Sequence, residues 1–254
     1  MMMYEAKVFL TAVRFFTRIP VPSSLEYNQE MLNRSLKYLP LIGWLIGGIG
    51  AGVFYGTTYL FPLPVRILLS MTATLLMTGA FHEDGFADVC DGFGGGWNKE
   101  EILKIMKDSR IGSFGTIGIL MMLLSKFVLL TSILPAHIPF VMIAAHSVSR
   151  FAAVSLVYTH RYVDHQDSKS KPVGTRISFP ELMISAVFGV IPMVWMHSLY
   201  FLMLLVPVFL AKGLLARYFN RWIGGYTGDC LGATQQVTEV IFYLAYTGMV
   251  KSGF

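Results

Sequence analysis

The feature that most constrains this chain is a succession of apolar segments, each long enough to cross a lipid bilayer as a helix. A transmembrane helix needs roughly 20 predominantly apolar residues. Only 14% of the 254 residues are charged, whereas a soluble domain carries about 25%, and the deficit extends along most of the chain. We therefore predict one all-α polytopic integral membrane domain over residues 1–254. About seven transmembrane helices are expected, at 41–61, 65–81, 113–134, 138–159, 181–196, 198–213 and 233–250.

The distribution of Lys and Arg predicts which way the spans face. Sixteen of the 20 Lys and Arg residues fall in the N-terminal segment and the long polar loops. Only Arg66 and Lys251 fall on the opposite side, and Lys126 and Arg150 lie within spans. Because cytoplasmic loops carry the excess positive charge, we expect a cytoplasmic N-terminus. We expect no nucleic-acid partner. Residues 1–40 are expected to form an interfacial amphipathic segment.

A stretch rich in acids and glycine, "HEDGFADVCDGFGGG" (82–96), follows the second predicted span. Asp84, Asp88 and Asp91 are spaced i, i+4, i+7, so their carboxylates share one face of a helix continuing out of that span. Like charges at i,i+4 destabilise a helix by about 0.2–0.5 kcal/mol per pair. Hard oxygen ligands without His or Cys in register suit Mg²⁺ or Mn²⁺. We therefore predict that these carboxylates bind a divalent cation.

A short amphipathic helix is predicted directly after the glycines, in "WNKEEILKIMKDSRIGSFG" (97–115). Lys107 and Arg110 are three residues apart near its end and share one face. Two cations opposite an acidic metal site suit a diphosphate, with metal on one flank and Lys and Arg on the other. The segment 82–112 is therefore predicted to be a catalytic loop at the cytoplasmic face.

A second glycine-rich loop, in "RWIGGYTGDCLGATQQVTE" (221–239), leads into the last predicted span. Gly224, Gly225 and Gly228 lie close to Asp229 in this loop. Such a loop brings backbone N–H groups and one acid close to a ligand. Residues 212–232 are therefore predicted to form a second catalytic loop.

Arg150 lies inside a predicted span, where an arginine is costly and usually functional. We expect it to face the bundle cavity and to contact phosphate. Lys126 is also within a span, without an evident partner in the sequence. The His and Asp residues of the loop 160–180 match no firm metal-ligand pattern and indicate a solvated loop. Its Lys169 and Lys171 either close over an anionic substrate or serve the topology alone.

Together these motifs resemble the cobalamin synthase family, the adenosylcobinamide-GDP ribazoletransferases. The resemblance begins at "FFTRIPVP" and "LPLIGWLIGG", is strongest in "HEDGFADVCDGFGGG" and "IMKDSRIGSFG", and returns at "IGGYTGDCLGATQQVTE". It implies that a hydroxyl of α-ribazole, or of its 5′-phosphate, attacks the corrinoid-attached phosphate of adenosylcobinamide-GDP. GMP would leave, and adenosylcobalamin or its 5′-phosphate would form. The resemblance also implies a divalent metal, typically Mg²⁺, and a multi-pass protein of the bacterial cytoplasmic (inner) membrane. The oligomeric state stays open, with a homo-oligomer among the alternatives.

This reaction depends on charge neutralisation and in-line positioning more than on covalent catalysis. Asp84, Asp88 and Asp91 are accordingly expected to bind the metal, and Asp229 to be a further ligand or the base on the ribazole hydroxyl. The residues expected to bind substrate are Lys107, Arg110, Gly94, Gly95, Gly225 and Arg150.

A looser likeness connects the acidic stretch to CDP-alcohol phosphotransferases, whose signature begins Asp-x-x-Asp-Gly, as in "DVCDG" (88–92). Here Gly95 and Gly96 replace the Ala-Arg that follows, and Ala233 replaces the last Asp, which is the expected general base. The candidates left for the base in this chain are Asp229, Asp84 and Asp108.

Two other functions compete with the transferase interpretation. A cation transporter would place its acids near the midplane on broken helices, whereas these acids are predicted at a cytoplasmic helix end. A CDP-alcohol-type lipid phosphotransferase would carry the Ala-Arg pair and the last Asp of its signature, and both are replaced in this chain. We therefore interpret the chain as a Mg²⁺-dependent ribazoletransferase.

Overall fold

The computed structural model describes residues 2–22, 25, 28–163, 174–196 and 199–251. Their regular secondary structure is helical apart from one isolated β-bridge, which confirms the all-α prediction. The α-helices of the described residues are α1 (Met2–Phe16), α2 (Gln29–Ser35), α3 (Leu39–Gly56), α4 (Leu63–Thr78), α5 (Phe81–Gly95), α6 (Lys99–Met106), α7 (Ser113–Thr131), α8 (Ile138–Thr159), α9 (Phe179–Val190), α10 (Leu205–Ile223) and α11 (Gly228–Lys251). Short 3₁₀ segments lie at Leu36–Tyr38, Ile191–Met196 and Leu199–Leu204. Residues 164–173 of the loop 160–180 lie outside the described ranges, among them Asp164, His165, Asp167, Lys169 and Lys171.

Five helical stretches of the described chain are long and apolar enough to cross a membrane. They are 29–56, 113–131, 138–159, 179–196 and 200–223. α4 and α5 pass the same test only as a pair, and an 88° bend between them makes that pair a broken span or a re-entrant segment. The chain is thus a polytopic membrane protein, but the predicted count of seven spans is not confirmed.

α11 overlaps the predicted seventh span, yet it is not among the helices apolar enough to cross lipid. Gln235, Gln236 and Glu239 lie in its first half, and all three are buried. The helix packs against α5, α7, α8 and α10, so these polar groups contact protein and not lipid. A count of apolar residues alone does not make that distinction.

α8 is the central helix of the bundle. Of its apolar window 83% is buried inside the protein, against 22% for α7. α3 packs along it at two glycines: a Cβ on Gly47 would lie 2.7 Å from the Ile143 Cα, and one on Gly43 would overlap the His146 carbonyl. Small residues at these positions let the two backbones approach closely.

The sequence predicted that the acidic helix continues out of the second predicted span. That prediction was wrong, because a sharp bend separates α5 from α4. Gly79 (φ +65°) and Ala80 (φ +57°) both adopt the left-handed conformation between α4 and α5. The Arg18 backbone N–H donates to the Met77 carbonyl (2.7 Å), and the Arg18 guanidinium lies against Gly79. A cation is favourable there, at the C-terminus of α4. The result is the 88° bend that separates α5 from α4.

Substitutions at this bend should change stability in opposite directions. Gly79→Ala puts a side chain on a left-handed residue, which costs about 1–2 kcal/mol, and displaces the Arg18 guanidinium. Ala80→Gly removes the same conformational cost. We expect the thermal unfolding midpoint in detergent to fall for Gly79→Ala and to rise for Ala80→Gly.

Gly48→Ala is the matched control for these variants. Among the described residues, nothing beyond its own helix lies within 4 Å of its Cβ position, and alanine is the better helix former, so its midpoint should not fall. A lower midpoint for Ala80→Gly would contradict the left-handed bend.

Candidate active site

The acidic helix α5 crosses the beginning of α11, and two glycines allow the backbones of these helices to approach each other closely. A Cβ on Gly85 would lie 3.0 Å from the Asp229 Cα, and one on Gly232 would lie 3.0 Å from the His82 carbonyl oxygen. Asp229 belongs to the first turn of α11. The crossing therefore joins the two loops that the sequence predicts to be catalytic.

Asp84, Asp88 and Asp229 form a group at this crossing, called the acidic site below, which lies outside the five spans. Asp84 is exposed, whereas Asp88 and Asp229 are partly buried. The charges of Asp229, Asp84 and Asp91 all act on the Asp88 carboxylate. Burial and the charge of Asp84 raise the pKa of Asp229 to about 6. These carboxylates repel one another at neutral pH, and a cation placed among them would relieve the repulsion.

Asp91, the third acid of the predicted stripe, has different partners. Its Oδ2 accepts a hydrogen bond from the Gly112 N–H (2.7 Å) and its Oδ1 from the Gly115 N–H (2.8 Å). Gly112 is the N-cap residue of α7, so the carboxylate pairs donors that the first turn of a helix leaves unsatisfied. Asp91 thereby fixes the start of α7 against α5. Its role as a metal ligand stays a prediction.

The acidic site offers oxygen donors in an open arrangement. Within the described ranges, no group of three or more His, Cys, Asp or Glu side chains is arranged to hold a metal ion. Mg²⁺, however, is usually bound through one or two carboxylates, with waters and substrate phosphates as its other ligands. The donor chemistry of Asp84 and Asp88 fits such a cation.

Lys107 and Arg110, the predicted phosphate-binding cations, lie at and beyond the end of α6. Lys107 is the C-cap residue of that helix. The Arg110 side chain is 86% exposed and donates to Asp108, with Nη2 2.7 Å from Oδ2 and Nε 3.0 Å from Oδ1. These hydrogen bonds lower the pKa of Asp108 to about 2. A carboxylate that acidic accepts protons poorly, which favours the other two candidates for the general base.

The glycines predicted to bind phosphate pack against protein. A Cβ on Gly94 would lie 2.6 Å from the Phe114 ring, and one on Gly95 would lie 3.4 Å from a side chain of α6. Gly225 lies against the Arg161 carbonyl, which also accepts the N–H of the following residue (3.0 Å). Close packing accounts for glycine at Gly94 and Gly225, whereas a Cβ on Gly95 would make only an ordinary van der Waals contact. The contact of these three glycines with phosphate stays a prediction.

A buried network of charged and amide side chains lies deeper in the bundle, and sequence reasoning missed it. The Lys126 Nζ donates to the Gln236 Oε1 (2.7 Å) and lies 3.1 Å from the Glu239 Oε1. The Gln236 Nε2 donates to the Glu83 Oε1 (2.8 Å), on the residue before Asp84. The polar residues within the predicted seventh span were the signal that could have revealed this network.

Arg150 belongs to the same network from α8. It is 1% exposed, and its Nη1 lies 3.1 Å from the His146 Nδ1 and donates to the His146 carbonyl (2.9 Å). It lines a cavity inside the bundle, as the sequence predicts. Its contact with phosphate stays a prediction.

Fold and site together define a polytopic α-helical membrane protein that gathers carboxylates where one helix bends and another begins. A family model described as cobalamin-5-phosphate synthase matches residues 8–247. The chain belongs to this family, which confirms the resemblance found in its motifs.

Relatives of the chain match it over nearly its full length. A protein of Ralstonia pickettii (strain 12J) named adenosylcobinamide-GDP ribazoletransferase is 49% identical over 234 residues, 91% of each chain. One with the same name from Shewanella amazonensis is 46% identical over 247 residues, 94% of each chain. No solved structure matches the chain.

Substitution of two neighbouring acids should separate a structural carboxylate from a functional one. Asp91→Asn removes one of the two acceptors for α7 and leaves a helix N–H without its charged partner. The free energy of unfolding should fall by about 1–3 kcal/mol. Asp88→Asn removes a charge that its neighbours disfavour, so stability should be unchanged or higher.

Thermal unfolding in metal-free detergent measures this difference. A fall in the Asp88→Asn midpoint as large as that of Asp91→Asn would contradict the assignment of separate roles.

Proposed function

We propose that this protein transfers the adenosylcobinamide-phosphate group of adenosylcobinamide-GDP to α-ribazole or α-ribazole 5′-phosphate. The acceptor hydroxyl oxygen bonds to the corrinoid-attached phosphorus, and the bond from that phosphorus to the bridging diphosphate oxygen breaks. GMP leaves, and adenosylcobalamin or its 5′-phosphate forms. The observation that carries the proposal is the meeting of Asp84, Asp88 and Asp229 at one helix crossing. It occurs in a chain whose relatives, at 49% and 46% identity, bear the name of this activity.

Asp229 is the proposed acceptor of the hydroxyl proton. A general base works best when its pKa is close to the operating pH. Burial and Asp84 raise the pKa of Asp229 to about 6, whereas the bond to Arg110 lowers that of Asp108 to about 2. Asp229 therefore combines a suitable proton affinity with a place beside the other acids.

A divalent cation, Mg²⁺ with Mn²⁺ as the alternative, is proposed to bind at Asp84 and Asp88. When bound, it would neutralise charge on the diphosphate. Both oxygens of Asp91 already accept hydrogen bonds from α7. Asp91 is therefore proposed to orient α5 and to add negative charge to the site.

Lys107 and Arg110 are proposed to bind the diphosphate and the departing phosphate of GMP. Arg110 is exposed and already holds a carboxylate through two of its nitrogens. The same planar fork matches a phosphate, so Arg110 can exchange Asp108 for the substrate.

Relatives that carry a transferase name favour this reaction over the two rivals. Neither a cation transporter nor a CDP-alcohol-type lipid phosphotransferase receives support from them. The acidic site and the N-terminus are proposed to face the cytoplasm of a bacterial inner membrane, where nucleotide-activated substrates are present.

GMP release by the purified protein in liposomes tests the reaction. With adenosylcobinamide-GDP and α-ribazole, we expect GMP and cobalamin to form in equal amounts with Mg²⁺ and to stop with a chelator. Electrostatic groups that stabilise a transferring phosphoryl group contribute factors of about 10²–10³. Asp88→Asn should therefore lose at least about 100-fold in rate.

Glu100→Gln is the control for this assay, because Glu100 is an exposed acid on α6 outside the proposed site. It should keep the wild-type rate. Folded protein without turnover on authentic substrates would reject the proposal, and GMP formation without added metal would reject the cation.

Cysteine labelling in intact cells tests the orientation. The native thiols Cys90 and Cys230 are first changed to serine. Tyr59→Cys, at a residue 97% exposed between α3 and α4, should react with a membrane-impermeant maleimide added outside. Glu100→Cys should react only after the cells are permeabilised. The opposite pattern would invert the proposed topology.

A further inference from the structure

A small cavity lies inside the bundle, among α3, α4, α5, α7, α8 and α11. The volume open to the centre of a water-sized sphere is about 20 Å³. Four charged side chains line it: Glu83, Lys126, Arg150 and Glu239. Two formal negative charges thus face two formal positive charges, so the cavity as a whole favours neither an anion nor a cation.

Most polar atoms around this cavity have protein partners. Lys126 contacts Gln236 and Glu239, and the second oxygen of Glu239 accepts from the Gln235 Nε2 (2.7 Å). Two atoms differ. Among the described residues, the Glu83 Oε2 and the Arg150 Nε are buried and lack a hydrogen-bond partner.

These two atoms have complementary chemistry. The Glu83 Oε2 accepts hydrogen bonds, whereas the Arg150 Nε–H donates one. Arg150 is 1% exposed, so bulk solvent does not satisfy it from outside. A buried polar atom without a partner is strongly disfavoured. A small neutral molecule in this cavity that both donates and accepts has the chemistry to pair with both atoms.

We infer that this cavity is a binding site for an internal water molecule, which accepts from the Arg150 Nε–H and donates to the Glu83 Oε2. A site for one water needs roughly 10–15 Å³ and at least two polar partners, and the cavity provides both. Together with the Gln236 bond to the Glu83 Oε1 (2.8 Å), the water fixes both oxygens of Glu83. It thereby ties α5 to α8 directly beside Asp84. This inference does not depend on the proposed reaction.

X-ray radiolysis of the purified protein in lipid nanodiscs tests for the water. Radiolysis converts bound water into hydroxyl radicals, which oxidise a neighbouring methionine to its sulfoxide. Met142 lines the cavity and is 2% exposed. Met193 is equally buried, at 2%, but does not line it. Mass spectrometry should find Met142 oxidised at least about threefold faster than Met193. Equal rates would overturn the inference.

A variant adds a second comparison within the same experiment. Glu83→Leu/Arg150→Leu removes both proposed partners of the water, and Met142 should then oxidise at the rate of Met193. A persistent excess in the folded variant would show that these two side chains do not hold the water.

A high-resolution structure gives an independent test that needs no variant. We expect one density peak within hydrogen-bond distance of both the Glu83 Oε2 and the Arg150 Nε. Direct contact between these two atoms, or a cavity closed by apolar side chains, would overturn the inference.

Discussion

Charged and amide side chains inside a membrane bundle must find partners there, and this requirement determines where α11 lies. Gln235, Gln236 and Glu239 would be costly toward lipid. Each is bound instead by side chains of α11 itself or of α5, α7 and α8. The helix is therefore held in the interior. Because Asp229 is in its first turn, the same requirement brings Asp229 to the acidic helix.

The bend between α4 and α5 is a second constraint, and it positions the acidic helix α5. The left-handed pair Gly79 and Ala80 ends α4, and Arg18 packs against the bend. α5 is thereby free to leave the direction of α4 and to meet α11 at Gly85, where a side chain would collide with Asp229. The carboxylates of the acidic site converge because both of their helices are fixed. Buried polar groups fix α11, and the bend fixes α5.

Periodicity and composition predicted those parts of the structure that depend on one segment at a time. The span 138–159 coincides with α8, and the shared face of Asp84 and Asp88 needed only helical spacing. What escaped prediction depends on distant residues. Asp91 belongs to the same stripe, but its partners are backbone groups of α7, 21 and 24 positions away. Lys126 had no visible partner because Glu239, with which it pairs, lies on a different helix and was counted within an apolar span.

The two polar regions of the bundle differ in how their charges balance. In the buried network, Lys126 is paired with Glu239, and Arg150 shares its cavity with Glu83. The acidic site next to it holds several carboxylates together, and burial with the charge of Asp84 raises the pKa of Asp229. Among the described residues, the interior cations Lys126 and Arg150 already contact Glu239 and His146 of the network, so they leave the charge of the acidic site without compensation. A divalent cation that arrives with a diphosphate, as proposed, would supply it. In that proposal, the paired network beneath holds the carboxylates of the acidic site in place until the cation binds.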